Sequence, residues 1–136
     1  MKRKNYTTFA AIHLGSEMLS MQITEYHNTE RYKVIECCNR RIRLGEATFK
    51  NKIIPFPLVS EICEILIGFK RLMKEYGVEE YVMQATTAVR EASNQVFLLD
   101  QIYNKTGLVV DVVDWSSDVC SSDLRQKKFL LSVKVC

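Results

Sequence analysis

The sequence predicts an α/β protein built on a mixed sheet, with the element order βββαβαβ. Three observations predict it. The first 44 residues hold three runs of alternating apolar residues joined by short polar links, the pattern of an antiparallel meander. A stripe of apolar side chains at three- and four-residue spacing then marks one long helix up to Tyr76. Beyond it, two short β-rich runs are separated by a second helical stretch, which calls for parallel crossovers.

The first strand is expected over residues 8–14 and the second over about 18–27. Between them lies Gly15-Ser16, a tight turn whose backbone N–H groups and hydroxyl are able to surround a phosphate. His27-Asn28-Thr29-Glu30 is a polar turn. Tyr32-Lys33-Val34-Ile35-Glu36-Cys37-Cys38 opens a third strand, continued through Arg41-Ile42-Arg43-Leu44. Residues 45–57, with Gly45, Pro55 and Pro57, read as a loop. Ser60 suits the N-cap of the long helix, and Ile62, Ile65, Leu66, Phe69, Leu72, Met73 and Tyr76 form its apolar face. Lys70, Arg71 and Lys74 suit the negative end of that helix, and Gly77 suits its C′ position. A short buried strand is expected over 81–85, a helix from about 89 to 104 ended by Thr106-Gly107, and a last strand over 108–113.

Composition excludes several classes. At 136 residues the chain has room for one domain with a real core, or for part of a larger one. No apolar run is long enough to cross a bilayer, and Met1-Lys2-Arg3-Lys4 is followed by polar residues rather than a secretory core. The five cysteines form no C-x-x-C pair and lie far from both histidines in sequence, which argues against zinc and for reduced thiols in a cytoplasm. Cys37 and Cys38 point to opposite faces of a strand, so at least one belongs to the core. The net charge is +3, of which residues 115–136 carry +2 and residues 1–114 only +1. Charge alone therefore gives no sign of a nucleic-acid partner.

Residues 115–136 stand apart. Ser116-Ser117-Asp118-Val119 recurs as Ser121-Ser122-Asp123-Leu124, and residues 118–124 read as the in-frame translation of a common sequencing adapter. The expectation is a natural part over 1–114 and a non-native, adapter-derived tail over 115–136. Cys120, Ser122 and Asp123 accordingly receive no role. The alternative is a polar loop leading to a strand over 129–135.

Four stretches carry a resemblance. They are Ala11-Ile12-His13-Leu14-Gly15-Ser16; Arg43-Leu44-Gly45-Glu46; Tyr76-Gly77-Val78 leading to Ala85-Thr86-Thr87-Ala88-Val89-Arg90-Glu91-Ala92-Ser93-Asn94; and Thr106-Gly107-Leu108-Val109-Val110-Asp111-Val112-Val113. In this order and spacing, residues 9–114 resemble the N-terminal half-domain of the exopolyphosphatase / guanosine pentaphosphate phosphohydrolase (Ppx/GppA) family. The resemblance implies an actin-like ATPase (ribonuclease H-like) half-domain. It also implies a parent enzyme that hydrolyses terminal phosphoanhydrides of polyphosphate or guanosine pentaphosphate with Mg²⁺.

Carried over residue by residue, the resemblance makes Gly15, Ser16, Thr86, Thr87 and Arg90 phosphate-binding. Arg90 would act as a bidentate fork. It assigns no metal ligand. The catalytic glutamate expected after Val113 is missing, as are the second phosphate loop and second half-domain, so the chain alone is expected to be inactive. A cytoplasmic parent, able to form a homodimer and with neither membrane nor nucleic acid as partner, completes the expectation. The sequence also departs from the family pattern. His13 stands where the family has aspartate, Glu17 where asparagine is common, and Met18 where a small polar residue is usual. Neutral imidazole is a poor ligand for hard Mg²⁺. These departures motivate an alternative, a non-catalytic regulatory paralogue that binds polyphosphate or a nucleotide. A sugar kinase or other ATPase of the same superfamily is the third reading.

For single residues two readings stand side by side. His13 is either packed at a strand end or a ligand. Arg90 is either a solvated helix residue paired with Glu91 or Asp100, or a phosphate ligand. Glu46 either caps a backbone N–H or takes part in chemistry.

Overall fold

The computed structural model describes residues 6–27 and 31–113. Among these residues, five strands form one sheet in the order β3-β2-β1-β4-β5. They are β1 (Thr7–Leu14), β2 (Met18–Tyr26), β3 (Tyr32–Arg41), β4 (Glu80–Ala85) and β5 (Asp111–Val112). β1 and β3 run antiparallel to β2, and β4 runs parallel to both β1 and β5. The mixed α/β sheet expected from the sequence is therefore present. Among the described residues, four helices complete it: α1 (Leu44–Asn51), α2 (Phe56–Tyr76), α3 (Thr87–Arg90) and α4 (Gln95–Thr106).

The pleat explains the core. Ala10, Ile12 and Leu14 point to one face of β1 and are fully buried, joined there by Leu19, Met21 and Ile23 of β2. The stripe Val59, Ile62, Cys63, Leu66, Phe69 and Met73 of α2 packs with them, as do Leu98 and Ile102 of α4. Each such side chain, fully buried, contributes about 1.5–3 kcal/mol relative to exposure. Phe9, Ala11 and Val82 form a smaller cluster on the opposite side of the pleat. No described helix is long and apolar enough to cross a membrane.

Several boundaries differ from the sequence reading: β3 ends at Arg41 rather than Leu44, and the last strand covers Asp111–Val112 rather than 108–113. Residues 44–51 form α1 rather than a loop, because Leu44, Gly45 and Thr48 bury one side of a short amphipathic turn. The N-cap residue Arg43 makes no side-chain cap, and Glu46 lies in the first helical turn, where its negative charge suits the positive end of the helix. The long helix begins at Phe56, with Pro55 at the N-cap and Pro57 in the first turn, where a missing N–H costs nothing. Ser60 is inside the helix. The expected 89–104 helix is split into α3 and α4. Gly77 does end α2 in the left-handed conformation, at φ 67°, with its N–H on the Lys74 and Met73 carbonyls.

Among the thiols, Cys63 is buried and free, and Cys38 is half-buried, free and packed against the main core. Burial raises the pKa of both above the ordinary thiol value.

The end of α2 is tied to the edge strand by Tyr76, whose hydroxyl donates to Glu36 Oε2 at 2.7 Å. That bond first, and desolvation second, holds the tyrosine above its ordinary pKa of about 10. Folding thus favours the neutral phenol, and the unfolded chain loses its proton first. The stabilisation is full below about pH 10 and is lost as pH rises through the folded value. The urea midpoint is therefore expected to fall above pH 10, and to fall less in Tyr76→Phe. An equal fall in both proteins would refute the linkage.

Candidate functional site

The hairpin tip lies at the C-terminal ends of two parallel strands. β1 and β4 pair with Leu14 opposite Ala85, and the Thr86 N–H donates to the Leu14 carbonyl at 3.3 Å. The segments 14–16 and 85–87 are thereby side by side, although more than 70 residues separate them in sequence. This position, where open α/β sheets place their ligands, follows from the strand directions alone.

The tip itself is a short turn. The Gly15 N–H donates to the Met18 carbonyl at 2.9 Å. The His13 ring lies over Gly15: a Cβ there would sit 3.0 Å from His13 Cε1. The tip is then fastened to the end of β3. The Ile42 N–H donates to the Glu17 carbonyl, and the Gly45 N–H to the Ser16 carbonyl, both at 2.8 Å. A Cβ on Gly45 would stand 2.8 Å from Ser16 Cβ, so only glycine lets α1 come this close. The short motif Arg43-Leu44-Gly45-Glu46 therefore has a steric meaning: it seats the first turn of α1 on the hairpin.

These contacts enclose a cavity of about 320 Å³ lined by Ser16, Glu17, Arg41, Ile42, Arg43 and Glu46. Two guanidinium-bearing residues and two carboxylate-bearing residues thus share a wall with Ser16. Glu46 lines the cavity, the place its chemical reading requires, whereas Arg41 and Arg43 had not been expected at the site. A signal for Arg41 exists in the strand register, which places it opposite Met18 at the mouth of the hairpin.

Thr86 is buried at the N-cap of α3, and its carbonyl accepts the N–H groups of Val89 and Arg90, each at 3.1 Å. Thr87 is half-buried and Arg90 is exposed at the last position of α3. None of these three lines the cavity beside Ser16. Glu91 pairs with Lys52 at 3.4 Å.

The rest of the 85–94 stretch does structural work. Asn94 Oδ1 accepts the Ile54 N–H and its Nδ2 donates to the Ile54 carbonyl, both at 2.9 Å. The Ser93 N–H and Oγ both donate to the Lys52 carbonyl, at 2.7 and 2.9 Å. Ser93-Asn94 thus clamps the α1–α2 link to the turn between α3 and α4, which is why the helix expected there is broken.

Among the described residues no group of three or more His, Cys, Asp or Glu side chains is arranged to hold a metal ion. The cavity does offer Glu17 and Glu46. Two carboxylates are the donor set that Mg²⁺ accepts while keeping several waters.

Comparison with known proteins agrees with this architecture. The chain resembles the crystal structure of the Ppx/GppA family member of Aquifex aeolicus with a TM-score of 0.77 and 25% identity, over 81% of this chain and 36% of that one. An exopolyphosphatase from Cytophaga hutchinsonii is similar in fold, with a TM-score of 0.75 and 22% identity over 79% of this chain and 34% of that one. In sequence, the chain is 23% identical to a bifunctional 3-dehydroquinate synthase/phosphatase of Fusobacterium nucleatum, over 82% of this chain and 18% of that protein. The chain spans about a third of the solved relatives and less than a fifth of this curated one. Residues 22–117 match the Ppx/GppA phosphatase family; the matched span includes Thr86, Thr87 and Arg90 and begins after Gly15-Ser16. With this match over most of its length, the chain belongs to the Ppx/GppA phosphatase family.

Proposed function

We propose that the chain forms one wall of a phosphoanhydride-hydrolase cleft, binding the terminal phosphates of inorganic polyphosphate or of guanosine pentaphosphate. The phosphate-binding residues are Gly15, Ser16, Thr86, Thr87 and Arg90. The observation that carries the reading is the Thr86 N–H on the Leu14 carbonyl, which fastens one phosphate-type turn beside the other.

Each residue has a chemical part. The backbone at Gly15 lets an anion approach closely, and Ser16, Thr86 and Thr87 present hydroxyl donors. Arg90 supplies a planar fork that matches two phosphate oxygens, which lysine does not. Arg41 and Arg43, beside Ser16, add positive charge at the mouth. Glu17 and Glu46 would hold Mg²⁺ through hard oxygen donors. The ion, when bound, neutralises charge on the phosphates and draws electron density from the bond to be broken. The catalytic glutamate expected after Val113 falls outside the described residues, and so does the whole 115–136 tail. The chain spans about a third of the solved relatives' length, and in this reading it binds the phosphates without turning them over.

A second reading, a regulatory paralogue that binds the same ligands without cleaving them, draws on Glu17. Its carboxylate shares the cavity wall with Ser16 and repels phosphate wherever no cation screens it.

Fluorescently labelled polyphosphate titrated against the chain tests the proposal. Arg90→Lys and Arg90→Gln are each expected to weaken binding about tenfold, the loss of roughly one charge-assisted bidentate contact. Lys33→Gln, on the far edge strand, leaves binding unchanged. Equal affinity of the Arg90 variants and the parent sequence refutes the site. Phosphate release from polyphosphate by the chain alone refutes its inactivity.

A further inference from the structure

At the opposite end of the sheet lies a larger cavity, of about 670 Å³, where the C-terminal half of α2 and the end of α4 meet the start of β4. It is remote from the hairpin tip. β4 runs five residue steps from Glu80 to Ala85, so the two sites lie about 17 Å apart along that strand.

The wall of this cavity is apolar. Met73 and Leu108 are buried at its floor, and Val78 and the ring of Tyr81 line its side. Tyr81 is held in place by the Val109 N–H, which donates to its hydroxyl at 3.0 Å. The mouth is cationic, with Arg71, Lys74 and Lys105 around it. A fourth cation, Lys70, donates to the Thr106 carbonyl at the end of α4 and is thereby committed to the fold. Glu79 and Glu80 also line the mouth. The ion pairs of His27 with Glu25 and of Lys52 with Glu91 lie elsewhere in the fold. Cations at helix C-termini favour the dipole, which accounts for Lys74 and Lys105 as single charges. It does not account for an apolar hollow of ligand size beneath them.

We propose that this cavity binds an amphipathic anion: one phosphate, sulfonate or carboxylate head on an apolar or aromatic body. The head meets Arg71, Lys74 and Lys105, and the body covers Met73, Val78, Tyr81 and Leu108. The proposal is independent of the phosphate site at the hairpin.

The probe is 8-anilinonaphthalene-1-sulfonate, titrated against the full chain by its fluorescence. Saturable binding is expected, weakened at least tenfold in the double variant Arg71→Glu, Lys74→Glu. Both side chains are exposed, so the variant keeps its far-ultraviolet circular dichroism. A charge-matched pair on the edge strand, Lys33→Glu with Arg40→Glu, leaves binding unchanged. Dodecanoate and guanosine monophosphate then compete, one bringing an acyl body and the other an aromatic one. Displacement by either supports the site and identifies the body. The proposal is overturned by an unsaturable probe, by equal losses in the two charge-reversal pairs, or by displacement with neither competitor.

Discussion

Gly45→Val is expected to unfold at lower urea than the parent sequence, by about 1–3 kcal/mol, and to lose phosphate-chain binding with it. The reason is a steric one. A Cβ at this position stands 2.8 Å from Ser16 Cβ and 3.0 Å from Phe49 Cε2. The Phe49 ring is exposed and able to swing aside. Ser16 Cβ is one bond from the backbone, and that backbone is held by the Gly45 N–H on the Ser16 carbonyl. The hairpin tip must therefore move, or α1 must retreat from it. Either response displaces the Ser16 hydroxyl from Arg41 and Arg43. Gly68 is the control. A Cβ there meets nothing within 4 Å, and its helical interior position makes Gly68→Ala stabilising by about 0.5–1 kcal/mol. A Gly45→Val protein as stable as the parent would mean that the hairpin and α1 are not in close contact.

The same pair of glycines shows what was legible in the sequence and what was not. Period-two alternation through Ala10, Ile12, Leu14, Leu19, Met21 and Ile23 revealed the hairpin, because one face of each strand is buried and the register leaves no freedom. The α2 stripe was legible for the same reason, with its end marked by Gly77. α1 was not. Its eight residues are bracketed by Arg43 and Lys52 and followed by two prolines, and their helical state is stabilised by tertiary contact more than by local propensity. The hairpin motif and the 85–90 motif were each readable, and the parallel pairing of β1 with β4 brought them together. Arg41 was hidden because its place beside Ser16 depends on strand register and not on any motif. The break between α3 and α4 was hidden because its cause, Asn94 on Ile54, acts across 40 residues of sequence.

That clamp carries the second large effect. Asn94→Ala is expected to cost about 2–4 kcal/mol. It removes both partners of Ile54, whose backbone lies in a residue only 1% exposed. Each buried group left unsatisfied costs about 1–3 kcal/mol. Asn94→Asp separates geometry from mere bulk. Its carboxylate still accepts the Ile54 N–H, but a second oxygen faces the Ile54 carbonyl where an NH₂ stood, so it too is destabilised. Ser93→Ala costs less, since the Ser93 N–H still reaches the Lys52 carbonyl after the hydroxyl is gone. The readout is the Ile54 amide in hydrogen exchange, together with the urea midpoint. In Asn94→Ala that amide should lose its protection before the strands of the sheet do, because the link from α1 to α2 opens as a local unit. Opening it also frees the end of α1 opposite Gly45, so the clamp and the hairpin contact should fail together. Unchanged protection at Ile54 would show that the link is held by packing of the Ile54 side chain in the core, and not by the asparagine.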